Sequence, residues 1–171
     1  MVEVGVIAEN ERIELVKGEL VVMEAKGYAH ELLKNALLKE LVIAAPKELQ
    51  VGAETSVEFS PELLLGPDIV LFARHGIRKS NTGYIRLERG SCLLIIEVAQ
   101  SSLGYDRGQK AALYAQFGAR EFWVVDANAR VTWVHSGPSD AGWSSITQRG
   151  ANEVLAIAAL PGLSIKLDEL D

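Results

Sequence analysis

The chain has 171 residues, with 17 Lys and Arg against 23 Asp and Glu for a formal charge of −6, 49% hydrophobic residues and one cysteine, Cys92. That length and apolar share predict one compact domain over residues 1–171 and exclude a disordered or fibrous chain. The lone cysteine excludes an intramolecular disulfide and Cys₂His₂ or Cys₄ zinc sites, and the acidic balance speaks against strong non-specific binding of nucleic acid. The N-terminus MVEVGVIAENER lacks the basic flank and apolar run of a secretory leader, and no later segment is apolar enough to span a membrane. The expected setting is cytoplasmic.

In chain order, residues 12–23, RIELVKGELVVM, predict a hairpin that turns at Lys17-Gly18. Residues 28–44 repeat Leu32, Leu33, Ala36, Leu37, Val42 and Ile43 near helical spacing, and Pro46 supplies the stop. Residues 49–59 predict one strand ending at Ser60-Pro61. Residues 68–73 (DIVLFA) and 92–99 (CLLIIEVA) predict buried central strands. A helix is expected over 106–117, with Asp106 as its N-cap, Gln109 completing a capping box and Gly118 as the stop. Residues 121–126 predict a strand, 130–135 and 144–149 a hairpin, and 154–167 an apolar segment broken by Pro161-Gly162. This order predicts an α/β fold: a mixed central β-sheet flanked by helices, with an N-terminal β-hairpin and extra C-terminal strands.

Charged residues inside apolar strands are the informative exceptions, because a buried unpaired carboxylate loses hydration or takes a proton. Asp68 opens PDIVLFA, and Glu97 nearly ends LLIIEVA. If the two strands pair antiparallel, the start of one lies beside the end of the other, and both carboxylates meet at one end of the sheet. Such a pair suits a hard cation such as Mg²⁺; the competing reading is a strand-start aspartate and a structural ion pair. The helix after Glu97 carries Lys110 on its expected first turn, where an ammonium could hold a water or a phosphate oxygen beside a metal. The plainer alternative is an i,i+4 contact with Asp106, worth ~0.2–0.5 kcal/mol on a helix surface.

PDIVLFA, LLIIEVAQSS and YDRGQKAALYAQFGAREFWVVD together resemble the Uma2 family, assigned to the PD-(D/E)XK restriction-endonuclease-like superfamily. RIELVKGELVVM with His30 is similar to that family's N-terminal hairpin and first helix, and LPGLSIKLDEL to its closing segment. The resemblance implies a restriction-endonuclease-like core and a metal-dependent endonuclease that hydrolyses phosphodiester bonds in DNA with Mg²⁺ or Mn²⁺. It implies Asp68 and Glu97 as metal ligands, with the Val98 carbonyl as a third. The superfamily's simplest pattern puts lysine two positions after the glutamate, where this chain has Ala99. In Uma2-like sequences the lysine has moved to the following helix, which points to Lys110. Glu19 and His30 also match family positions and are further site candidates; the ordinary roles are a solvated turn glutamate and a hydrogen-bonding surface histidine.

Between 74 and 90 the chain reads RHGIRKSNTGYIRLERG, with Arg74, Arg78, Lys79, Arg86 and Arg89 against one acid, Glu88. This basic segment is the candidate DNA contact, or else a solvated charged loop. It connects the two carboxylate-bearing strands at their far end, roughly 16–20 Å from the expected metal. The expected partner is therefore DNA held weakly or locally, with no membrane, and cutting both strands favours a homodimer with one site per subunit. A catalytically inactive nucleic-acid-binding or protein-interaction domain on the same fold is the alternative.

Overall fold

A computed structural model describes residues 13–22 and 25–170. The expected hairpin is formed by Ile13–Val16 (β1) and Glu19–Val22 (β2). Its turn residues Lys17 and Gly18 both have positive φ (52° and 83°), the two-residue geometry whose twist matches the flanking strands. The first helix, Tyr28–Ala44 (α1), has the expected bounds.

Residues 49–59 are a correction. They form two strands, Leu49–Ala53 (β3) and Val57–Ser60 (β4), with Glu54 at φ 49° between them, and these belong to different sheets. Leu49, Val51, Val57 and Phe59 keep one alternation across both pieces, so the pattern carried no mark of the change. Leu63–Leu65 (β5), Ile69–Ala73 (β6), Ile77–Lys79 (β7), Ile85–Leu87 (β8) and Cys92–Ala99 (β9) follow. The segment read as a basic loop thus contains β7 and β8.

After β9, residues 103–117 form one helical run (α2): α-helical over Leu103–Tyr105, π-helical over Asp106–Lys110 and α-helical over Ala111–Phe117. The helix starts three residues earlier than expected. Asp106 is therefore no N-cap, and Lys110 lies beyond the first turn. The π segment turns Asp106 and Lys110 both inward, and both are buried. Gly118, at φ 79°, ends the helix as expected, with the Ala119 N–H closing onto the Tyr114 carbonyl. The chain ends with Glu121–Asp126 (β10), Val131–Ser139 (β11), Gly142–Arg149 (β12), Leu155–Ile157 (β13) and Leu160–Ile165 (β14). Pro161-Gly162 does not break the last segment. It lies inside β14, in a two-stranded ribbon that leaves room for a missing N–H, and the reversal falls at Ala158-Ala159.

The central sheet has the order β12-β11-β10-β9-β6-β3. All its pairs are antiparallel except β9 with β10, which the α2 crossover makes parallel. A second six-stranded sheet, β2-β1-β5-β4-β8-β7, is assembled from three- and four-residue strands, most of them inserted in the connections of the first. Strands that short display too few periods to be read from sequence. Strand β9 is buried on both faces, which explains its unbroken apolar run. Ile95 and Ala99 join a core with Val57 and Leu65 of the second sheet and Tyr114 of α2; Leu94, Ile96 and Val98 join another with Leu33, Leu37 and Leu41 of α1. Alternation places Glu97 on the face of Ile95 and Ala99, under α2. Among the described residues no helix is long and apolar enough to cross a membrane.

Candidate active site

Ile69 lies opposite Ile96 in the β6/β9 ladder, so one step further Asp68 meets Glu97 at the end of the sheet, as expected. Asp68 is held from three sides. Its Oδ2 accepts the Val98 N–H at 2.8 Å and lies 2.9 Å from His30 Nε2, while its Oδ1 accepts from the Lys26 ammonium. Lys26 also reaches Glu54 at 3.1 Å. Burial by itself pushes the Asp68 carboxyl up, but the His30 hydrogen bond and the Lys26 charge outweigh it and hold the group at about 2. Both main-chain groups of a strand residue face the same neighbour. The Val98 carbonyl is therefore turned, like its N–H, to the Asp68 side.

Glu97 has different company. Its Oε1 accepts from Lys110 at 3.1 Å and from the Tyr114 hydroxyl at 2.7 Å. The same Lys110 ammonium lies 3.2 Å from Glu14 Oε1 and 3.8 Å from Asp106 Oδ1, so the i,i+4 contact is the longest of its three. Glu14 Oε1 also accepts the Gly66 N–H at 3.1 Å. Glu14, Glu97, Asp106 and Lys110 are only 4%, 3%, 2% and 2% exposed, so this is no surface pair. Burial raises the Glu97 carboxyl to about 8; Lys110 draws it back, while Asp68, Asp106 and Glu14 push it higher. For Lys110, burial disfavours the charge, but Glu97, Glu14 and Asp106 more than compensate and keep it above the ordinary lysine range.

Apart from Tyr114, which reaches Glu97 from the core, these groups line one cleft of about 670 Å³ between the end of the central sheet and the β1/β2 hairpin. Of the residues proposed from sequence, Asp68, Glu97, Val98, Lys110 and His30 line it. Glu19 does not: it is exposed beside the hairpin turn, opposite Val16. The hairpin supplies Glu14 instead, which sequence reasoning missed although its place two residues before buried Val16 marks it as a carboxylate on an inward face. Lys26 was missed as well, and nothing in the pattern around it distinguishes it.

The basic segment sits elsewhere. β7 and β8 occupy the edge of the second sheet opposite the β1/β2 hairpin, and their charges are largely matched. Arg86 pairs with buried Glu58, Arg78 with Glu88 at 2.7 Å and Arg89 with Asp140 at 3.2 Å. Arg74 donates to the Leu49 carbonyl, and Lys79 is exposed.

Among the described residues, no three His, Cys, Asp or Glu side chains are already gathered as a metal-binding group. The donors nonetheless fit a hard divalent cation. Asp68, Glu97, Glu14 and Asp106 outnumber the ammonium groups of Lys26 and Lys110, the available atoms are oxygens, and Glu14 Oε2 is buried with no partner.

A family model described as "Putative restriction endonuclease", Uma2, matches residues 3–168. The chain belongs to the Uma2 family. The Uma2 chain is also similar to a solved structure described as "a putative nuclease belonging to DUF820 from Anabaena variabilis ATCC 29413", with a TM-score of 0.76 over 98% of this chain and 93% of that one. At 13% identity this likeness speaks to the fold, and it agrees with the expected restriction-endonuclease-like α/β core. No curated protein matches the chain.

Proposed function

We propose that this Uma2 protein is a metal-dependent endonuclease that hydrolyses phosphodiester bonds in DNA. The observation that supports it is the meeting of Asp68, Glu97 and Lys110, brought by β6, β9 and α2, on one cleft with more carboxylates than cations. Asp68, Glu97 and the Val98 carbonyl would hold Mg²⁺ or Mn²⁺. When bound, such a cation polarises a phosphate oxygen and makes a coordinated water more acidic.

The chain's own groups prepare that chemistry. Asp68 is ionised over the whole physiological range, and the Val98 N–H and His30 fix its orientation. Tyr114 anchors Glu97 Oε1 from within the core. Lys110, kept charged by its carboxylates, acts as a donor and a positive charge toward the attacking water or the phosphate oxygens, not as a base. Severing both strands of a duplex calls for two such clefts, so a homodimer is the assembly we propose.

The test is cleavage of plasmid and linear DNA with Mg²⁺ or Mn²⁺ by the wild type and by Asp68→Asn, Glu97→Gln and Lys110→Met. Cleavage should fall at least ~100-fold in each variant, a loss typical of removing one transition-state contact. Cleavage that survives all three substitutions overturns the proposal. Wild-type protein that cuts nothing and shows no Mn²⁺ binding dependent on Asp68 and Glu97 would instead leave the non-catalytic domain standing.

A further inference from the structure

One wall of the cleft carries polar atoms that the roles above do not use. Among the described residues, three buried side-chain atoms lack a hydrogen-bond partner, and two of them, Glu14 Oε2 and the Tyr105 hydroxyl, belong to residues lining this cleft. Buried polar atoms are almost always partnered, so an orphan marks the place of an unseen water or ion. A carboxylate oxygen is the more demanding case, since it keeps a share of a full negative charge away from solvent.

The surroundings of Glu14 narrow the choice. Its Oε1 is fixed by the Gly66 N–H and by Lys110, which also reaches Glu97 Oε1, so Glu14 and Glu97 stand within reach of one nitrogen. β1 holds Glu14 opposite Val21, which with Ile13 and Leu65 gives this wall an apolar lining. Apart from Lys110, whose ammonium already serves three carboxylates, no cationic side chain pairs with Glu14 among the described residues.

We infer that Glu14 is a third carboxylate ligand of the divalent cation, with Oε2 the ligating atom; this rests on the proposed Asp68–Glu97 site. The first hairpin then has a function beyond covering the core, because it closes the cation site from the second sheet. Asp106 takes no part, since its Oδ2 accepts from Ser102 at 2.5 Å and its Oδ1 faces Lys110.

Two measurements on the full chain test this. Calorimetry gives Mn²⁺ affinity for the wild type, Glu14→Gln, Glu14→Asp, Asp68→Asn and the distant surface control Glu62→Gln, with thermal melting as the check on folding. Tb³⁺ luminescence lifetimes in H₂O and D₂O count the waters left on a bound hard cation. Glu14→Gln should weaken Mn²⁺ about tenfold or more and add one water to Tb³⁺. Glu14→Asp keeps the charge beside Lys110 but shortens the reach, and should weaken Mn²⁺ as well. Glu62→Gln should change neither reading. If Glu14→Gln leaves the water count unchanged while Asp68→Asn abolishes Mn²⁺ binding, Glu14 is no ligand and the Asp68–Glu97 site stands. If Asp68→Asn leaves Mn²⁺ binding intact, the underlying site itself fails.

Discussion

Asp68 and Glu97 face each other across one pair of strands, yet their surroundings drive them to opposite protonation. Asp68 is as buried as Glu97, but burial raises its carboxyl less than His30 and Lys26 lower it, and it is held at about 2. Glu97 sits one strand deeper and shares its single lysine with Glu14 and Asp106, so burial and like charges lift it to about 8. Position on the sheet is nearly the same; the supply of counter-charge is not. A site with one carboxylate ready and one short of positive charge is arranged to gain from an added cation.

The sharpest way to break this contrast is to remove the lysine on the Glu97 side. Lys110→Met leaves three buried carboxylates without their common cation, and breaking a buried ion pair by removing one partner costs about 3–5 kcal/mol. Urea denaturation should show a loss of that order, with Mn²⁺ recovering part of it. A loss under about 1 kcal/mol would mean that Lys110 is dispensable to its neighbours.

The pH dependence of stability separates the two carboxylates. Asp68 has a folded value of about 2, below its ordinary 3.8. Its contribution is complete above pH ~4 and is lost as the pH falls through ~2, and is worth about 2 kcal/mol. Lys26→Met should move that loss to higher pH, because the ammonium helps to hold the carboxyl down. Glu97 has the opposite sign. With a folded value of about 8 above an ordinary 4.5, the native state keeps a proton that the unfolded chain has released, so stability falls as the pH rises from ~4.5 to ~8. Glu97→Gln should flatten that upper limb and leave the acid limb in place. Identical profiles for wild type and Glu97→Gln would refute the assignment.

Much of this arrangement was legible in the sequence because it rests on long, strongly patterned elements. α1, β9 and β10 have the expected bounds, and Asp68 and Glu97 stood out as charges in otherwise apolar strands. What was not legible depends on contacts between distant short pieces. The second sheet is built from strands too brief to show alternation. The early start of α2 and its π segment put Asp106 in the interior, although Asp106 and Gln109 spell a capping box. Glu14 was passed over although alternation with Val16 puts it on the inward face of β1; that this face closes a cleft rather than plain core follows only from the packing of β1. Lys26 acquires its role from the position of α1 against β6, which no local pattern encodes.

The smallest effect is expected at the edge of the second sheet, and it tests whether the basic segment shares in DNA binding. Each phosphate contact steepens the fall of log affinity with log salt by about 0.9. Were Arg78 and Arg89 both such contacts, Arg78→Gln with Arg89→Gln would lower the slope by about 2. In the fold, however, Arg78 is matched by Glu88 and Arg89, in the turn after β8, by Asp140, and β4 and β5 separate β7 and β8 from the hairpin at the cleft. Removing them should therefore change the slope by less than about 1, measured by fluorescence anisotropy on a labelled duplex across a salt series. A drop near 2 would make this edge a DNA-binding surface in spite of its ion pairs. The duplex would then have to run from β7 and β8 across the second sheet to reach Asp68 and Glu97.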